Sequence, residues 1–155
     1  EQRETELIRR PLGGLDDLLL TGIGSGLTEV ADDVGHRLRH PFTGQRRVAV
    51  LGDMLELGPS APELHQQIGA IVPERADWLF TYGALAEDIA RGARNAGLDD
   101  DRIFSATNHD DLVEHLLGLL EAGDRVLIKG SRGMCMEKVT AALRASLQKQ
   151  AANGN

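Results

Sequence analysis

From residue 46 onward, short apolar runs alternate with segments of helical periodicity. Only a few fold classes show this alternation. The apolar runs lie near 47–51, 78–82, 102–106 and 125–129. Each is followed by roughly 10–15 residues whose apolar positions recur every three or four residues, which is typical of an amphipathic helix. Strands that alternate with such helices are joined by right-handed crossovers. The pattern therefore predicts an α/β, Rossmann-like, mostly parallel sheet with helices on both faces.

Capping residues indicate where these helices begin and end. Ser60 is a predicted N-cap, since Glu63 follows it three residues later as in a capping box. Asn108 is predicted to cap a later helix, and Gly97 to follow the end of another in the left-handed conformation. Helices are predicted over 62–72, 84–96, 109–122 and 134–148.

The first 45 residues follow a different pattern. Their apolar periodicity is weak and glycine is frequent, so 1–45 is left unassigned and expected to be weakly structured. The segment Gly22–Gly26 lacks the preceding apolar strand and the glycine spacing of a dinucleotide fingerprint. One domain is predicted over 46–149, with 150–155 as a disordered tail. Because the chain begins at Glu1 and not at methionine, we interpret it as a possible fragment of a longer protein.

Length and charge exclude several classes of protein. A chain of 155 residues has room for one domain with a proper core. The net charge of −7 argues against binding to nucleic acid or to a membrane surface through bulk charge. A single cysteine, Cys135, excludes a disulfide framework within the chain and is typical of a reducing compartment. No apolar run approaches the roughly 20 residues that span a bilayer. The sequence thus predicts a cytoplasmic protein without a membrane span.

The carboxyl ends of parallel strands are where ligands bind in α/β sheets. This rule selects the loops 52–58, 82–84, 107–110 and 129–133. The last of these contains Lys129, Ser131 and Arg132 between a strand and a predicted helix, which favours binding of a phosphate or carboxylate. The alternative is structural: Ser131 caps the helix and the two cations are solvated.

The first of these loops carries two carboxylates, Asp53 and Glu56. They are suited to contact an ammonium group, a ribose hydroxyl or Mg²⁺, and the alternative is that they cap the next helix. His65 follows on that helix and is interpreted as structural. The spacing of His65, His109 and His115 is not that of zinc ligands, so no metal site is predicted from this chain alone. The sequence also contains no Walker-type phosphate loop.

Two blocks of sequence resemble the C-terminal domain of the Mur ligases. The first is Arg46-Arg-Val-Ala-Val-Leu-Gly-Asp-Met-Leu-Glu-Leu-Gly58 with Glu63-Leu-His65, and the second is Val126-Leu-Ile-Lys-Gly-Ser-Arg132 with Met136-Glu-Lys-Val139. The likeness covers roughly residues 46–147. Within the family, it is strongest to the ligases that add D-alanyl-D-alanine to UDP-N-acetylmuramoyl-tripeptide. Residues 1–45 depart from the pattern, because they lack the Asp-x-Tyr-Asn-Ala-Asn-Pro-like motif that precedes the first strand in those ligases.

The resemblance implies a function in peptidoglycan precursor synthesis. These ligases use ATP, through an acyl phosphate, to join a UDP-linked peptide to an amine. Their C-terminal domain helps to place that amine. Lys129, Ser131 and Arg132 would face the dipeptide carboxylate or the interdomain cleft, and Asp53 and Glu56 would line the same cleft.

The resemblance also implies what this chain lacks. ATP and Mg²⁺ would be bound mainly by a central ATPase domain, and the UDP moiety by an N-terminal domain, both absent here. The isolated chain is therefore expected to be inactive. The alternative is a stand-alone Rossmann-like module that binds a small anionic ligand or a protein partner without catalysis. A Walker loop encoded upstream in frame would favour the ligase.

Overall fold

The computed structural model describes residues 19–21, 46–121 and 124–153. The strands in these ranges are β1 (Leu19–Thr21), β2 (Arg47–Gly52), β3 (Trp78–Tyr82), β4 (Ile103–Ala106) and β5 (Arg125–Lys129). The α-helices are α1 (Ala61–Arg75), α2 (Ala86–Asn95), α3 (His109–Leu119) and α4 (Glu137–Asn153). Short 3-10 helices cover Gly58–Ser60, Asp100–Arg102 and Arg132–Met134.

The strands form one parallel sheet in the order β1-β5-β2-β3-β4. At its centre, Val50 of β2 is in register with Phe80 on one side and Ile128 on the other. The α/β class and the four predicted strands are confirmed. Strand β1 lies within the segment 1–45 and pairs with β5, so at least three residues of that segment belong to the sheet. The rest of that segment lies outside the described residues, and the boundary at residue 46 stays a prediction.

Alternate residues of the central strand β2 bury against two separate apolar clusters, one on each face of the sheet. Val48 and Val50 pack with the cluster that includes residues of α3 and α4. Ala49 and Leu51 pack with the cluster that includes residues of α1 and α2. A strand buried on both faces explains why this run is continuously apolar. The prediction of helices on both faces is confirmed.

Two of the predicted caps form as expected. The Asn108 side chain accepts a hydrogen bond from the Asp111 N–H at 2.8 Å, so it caps α3. Gly97 follows α2 with φ +101°, and the N–H of Leu98 donates back to the Ala93 carbonyl at 3.0 Å. The left-handed glycine and this return hydrogen bond are the marks of a Schellman ending.

Most helix ends differ from the prediction by one to five residues, and three differences at predicted caps or ends have a local cause. Ser60 makes no capping hydrogen bond through its side chain, because it belongs to a 3-10 helix that runs directly into α1. Helix α4 begins at Glu137 and not at 134, because Cys135 adopts the left-handed conformation (φ +50°) that interrupts the turn before it. The same helix continues to Asn153, since no glycine or proline precedes Gly154 to end it; residues 150–153, predicted as part of a disordered tail, are thus helical.

None of the helices in the described ranges has the length and apolar character needed to cross a membrane.

Candidate functional site

The loops that follow β2 and β5 are held together at the carboxyl edge of the sheet. The Ser131 N–H donates to the Asp53 carbonyl at 2.9 Å, and the Leu55 N–H donates to Ser131 Oγ at 2.7 Å. Gly133 lies beneath the Leu55 side chain, where an added Cβ would lie 2.7 Å from Leu55 Cδ1. We call residues 53–58 and 130–134 the strand-end surface, since these contacts make one surface of two loops.

Ser131 is the residue that joins the two loops. Its hydroxyl accepts the Leu55 N–H, and its carbonyl accepts the Met134 N–H at 2.8 Å. It precedes the short 3-10 helix that starts at Arg132, yet its side chain makes no capping hydrogen bond there. The interpretation of Ser131 as a helix cap is therefore wrong, and its hydroxyl holds the β2 loop instead.

The carboxylate of Asp53 faces inward. Asp53 is 3 % exposed, and its two carboxylate oxygens lie 3.1 and 3.2 Å from the Leu85 N–H that they accept. Burial raises the pKa of the Asp53 carboxyl, although backbone hydrogen bonds from Leu85 and Ala84 act in the opposite direction. It packs so closely on Gly83 that a side chain there would overlap it. Asp53 thus ties the β2 loop to the loop after β3.

Lys129 is buried at the end of β5. It lies in register with Leu51 of β2 and is only 3 % exposed. The structural alternative placed the Lys129 ammonium group in solvent. That placement is wrong, because the side chain is buried. Lys129 lies beneath the strand-end surface, whereas the polar groups that reach solvent come from its loops.

Arg132 and Glu56 are the two predicted site residues that are exposed. Within the described part of the chain, no carboxylate forms an ion pair with the Arg132 guanidinium. Glu56 adopts φ +65°, in the left-handed region that non-glycine residues occupy only when their surroundings hold them there. The surface therefore presents one cation and one carboxylate to solvent on loops that are fixed from below.

The strand-end rule selected the loop 107–110 after β4, but the sequence did not reveal that His109 joins this loop to the strand-end surface. His109 is the first residue of α3, and its Nε2 lies 2.8 Å from the carbonyl of Met134, while its ring lies 4.6 Å from that of Tyr82. His115 lies on the same helix, where it stacks on Phe104 at 3.7 Å. Nothing in the local pattern around His109 indicates the contact, because Met134 is 25 residues away. Across the described ranges, no group of three or more His, Cys, Asp or Glu residues is placed to hold a metal ion.

Comparison with known families agrees with this architecture. The family described as "Mur ligase, glutamate ligase domain" matches residues 24–132. Two curated relatives are named UDP-N-acetylmuramoyl-tripeptide--D-alanyl-D-alanine ligase. The one from Bacillus subtilis (strain 168) is 39% identical over 95 residues, which are 61% of this chain and 21% of the relative. The one from Synechocystis sp. is 39% identical over 103 residues, 66% of this chain and 22% of the relative. The chain thus spans about a fifth of these relatives.

Solved structures share the fold. MurF from Acinetobacter baumannii aligns with a TM-score of 0.72 at 20% identity, over 92% of this chain and 30% of that one. MurF from Thermotoga maritima in complex with ADP aligns with a TM-score of 0.67 at 23% identity, over 86% of this chain and 30% of that one. The family match covers well over half of the residues, and the fold agrees with it. The chain belongs to the Mur ligase family and carries its C-terminal, glutamate ligase domain.

Proposed function

We propose that this chain is the substrate-positioning domain of an ATP-dependent ligase that joins D-alanyl-D-alanine to UDP-N-acetylmuramoyl-tripeptide. Two relatives at 39% identity carry that name. The observation that carries the proposal is the strand-end surface itself. It exposes Arg132, without a carboxylate partner in the described ranges, on a loop that is hydrogen-bonded to the loop of Glu56.

The charges of this surface match those of a dipeptide. A guanidinium binds a carboxylate through a charge-assisted hydrogen bond, so we assign the dipeptide carboxylate to Arg132. A carboxylate attracts an ammonium group, so we assign the dipeptide amino end to Glu56. After the ammonium group loses one proton to solvent, the free amine attacks the acyl carbon of the acyl phosphate and forms the new C–N bond. Phosphate leaves and takes up the second proton. The domain accelerates this step by holding the amine in line with the acyl carbon.

The other three predicted site residues contribute from below the surface. Ser131 and Asp53 fix the loops through the hydrogen bonds described above, and Lys129 is buried at the end of β5. We therefore propose that Arg132 and Glu56 touch the dipeptide, whereas Asp53, Lys129 and Ser131 shape the place where it binds.

ATP and Mg²⁺ belong, in this proposal, mainly to other domains. The sequence contains no Walker-type phosphate loop, and the described residues offer no group of acids and histidines for a metal ion. No step of the proposal therefore runs through a metal held by these residues. We propose a central ATPase domain and a UDP-binding domain as the partners, in a cytoplasmic enzyme.

We expect the isolated chain to release no phosphate from ATP. Phosphoryl transfer depends on aligned phosphates and on cations that stabilise the transferred charge, and the sequence contains no Walker-type phosphate loop to supply them. The measurement is phosphate release with ATP, Mg²⁺, UDP-linked tripeptide and D-alanyl-D-alanine, against a buffer blank. Turnover clearly above the blank would mean that the chain activates ATP itself.

Replacing Arg132 by alanine should weaken dipeptide binding in a complete ligase that carries this domain. The loss of one charge-assisted hydrogen bond costs roughly 1.5–3 kcal/mol, so the KM for D-alanyl-D-alanine should rise about 10- to 100-fold. The KM for ATP should stay the same, because the nucleotide is bound mainly elsewhere. Steady-state kinetics with each substrate varied in turn give both values.

Arg102→Ala is the matched control for this substitution. Arg102 is also an exposed arginine. It directly precedes β4, so it lies at the amino ends of the strands, away from the strand-end surface. Its replacement removes the same charge and should leave both KM values unchanged. If Arg132→Ala and Arg102→Ala behave alike, the strand-end surface does not bind the dipeptide, and the proposed positioning role fails.

A further inference from the structure

His65 is buried on α1 directly beneath the strand-end surface. It is 0 % exposed, and both ring nitrogens are hydrogen-bonded. Nε2 lies 2.9 Å from the Met54 N–H, and Nδ1 lies 2.6 Å from the Ala61 carbonyl oxygen. A backbone N–H can only donate and a carbonyl can only accept. The imidazole is therefore neutral, with its proton on Nδ1.

Two successive amides of the β2 loop are captured by side chains from different elements. The Met54 N–H donates to His65, and the Leu55 N–H donates to Ser131 Oγ at 2.7 Å. The residue that follows, Glu56, has φ +65°. Such a conformation persists only where neighbouring contacts hold it. His65 supplies the contact on the α1 side, and Ser131 the contact on the β5 side.

We propose that His65 is a positioning residue for dipeptide binding. By accepting the Met54 N–H it sets the path of the β2 loop, so that Leu55 reaches Ser131 and Glu56 faces solvent beside the Arg132 loop. This inference rests on the proposed function of the strand-end surface. The role of His65 is more than filling the core, because the position of the β2 loop depends on one ring nitrogen, Nε2.

Two substitutions separate the two nitrogens. In His65→Gln, the side-chain amide oxygen takes the place of Nε2 and can accept the Met54 N–H. In His65→Asn, the shorter amide takes the place of Nδ1 and can donate to the Ala61 carbonyl, but it does not reach Met54. Each variant keeps one of the two hydrogen bonds, so a comparison of both tests which bond matters.

In the complete ligase, His65→Asn should raise the KM for D-alanyl-D-alanine about tenfold, the effect of one lost hydrogen bond, with little change in kcat. His65→Gln should stay close to the unmodified enzyme. Equal KM values for the two variants would overturn the inference, because a residue that only fills the core does not distinguish the two nitrogens. If Arg132→Ala raises the KM and His65→Asn does not, the inference fails and the proposed function stands. If neither changes it, the proposed function fails as well.

The unmodified chain of 155 residues allows a test that does not depend on activity or on the folding of variants. The ¹⁵N chemical shifts of the His65 ring should show one neutral tautomer with the proton on Nδ1. The Met54 and Leu55 amides should exchange slowly with solvent. A proton on Nε2, a mixture of tautomers, or fast exchange of both amides would overturn the inference, whatever the kinetics show.

Discussion

Replacing Gly69 by alanine is expected to lower the free energy of unfolding by about 3 kcal/mol, the upper part of the range for overpacked sites. Gly69 lies on α1 where it crosses α2, and an added Cβ would overlap the carbonyl oxygen of Ile89. The crossing is reciprocal, because a Cβ at Gly92 of α2 would overlap the carbonyl oxygen of Gln66. The two backbones touch, so the methyl group must push the helices apart.

The separation of α1 from α2 would also move the site. Ile68 and Ile89, which lie beside the crossing, are 4 % and 1 % exposed and would lose packing. His65 lies one turn before Gly69 on the same helix, so the β2 loop should become less ordered along with the helix pair. Urea denaturation gives the stability change, and exchange of the Met54 amide gives the effect on the loop.

Gly118→Ala is the control for this prediction. Gly118 lies in α3, and an added Cβ there meets no atom within 4 Å. Alanine should therefore stabilise the chain by about 0.5–1 kcal/mol, since it forms helices better than glycine. If Gly69→Ala does not lower the free energy of unfolding relative to Gly118→Ala, the close helix crossing is not a feature of this protein.

Replacing Arg46 by methionine is the second change for which we expect a large effect. Arg46 donates to both carboxylate oxygens of Asp124, at 2.9 and 2.6 Å, and to the Leu119 carbonyl at 2.7 Å. The Asp124 side chain is 4 % exposed and that of Arg46 is 31 % exposed. The loss of the arginine leaves a buried carboxylate without its countercharge. Removing one partner of a fully buried ion pair lowers the free energy of unfolding by about 3–5 kcal/mol. Because Arg46 is partly exposed, we expect a decrease of about 2–4 kcal/mol here.

The reason for that cost can be tested with a second substitution. If the penalty comes from the uncompensated charge, Arg46→Met combined with Asp124→Asn should recover part of it, because no charge then stays buried. Arg102→Met is the matched control, since Arg102 reaches Asp99 only at 4.0 Å between exposed side chains. Chemical denaturation that finds Arg46→Met as mild as Arg102→Met would contradict the role given to this pair.

The sheet could be predicted from the sequence because each long strand is built on a short, mainly apolar run bounded by polar or glycine residues. The runs at 78–82 and 125–129 match β3 and β5 residue for residue. The caps Asn108 and Gly97 were also predictable, because a helix cap depends only on residues within one turn of the chain. Strand β1 was not predicted. Its pairing with β5 joins residues more than 100 positions apart, and its glycine-rich surroundings give no periodic pattern.

The site was predicted as a set of loops but not as an arrangement of side chains. The rule for parallel sheets located Asp53, Glu56 and Arg132 at one edge. It does not state whether a polar side chain turns outward or toward a neighbouring loop. Asp53 turns inward to the Leu85 N–H, 32 residues away, and Ser131 bonds to Leu55, 76 residues away. Such contacts depend on the assembled sheet, so no local pattern contains them.

The most direct measurement on the proposed function is a titration of D-alanyl-D-alanine into the ¹⁵N-labelled chain, followed by amide chemical shifts. We expect the largest shift changes on the strand-end surface, at residues 53–58 and 130–134, and we expect Arg132→Ala to remove them while Arg102→Ala does not. Binding of one small ligand by few contacts should be weak, about millimolar, which this method detects. Shift changes that centre on the opposite edge of the sheet, around Arg46 and Asp124, or no changes at tens of millimolar dipeptide (roughly ten times that Kd), would contradict a substrate-positioning site at the carboxyl edge.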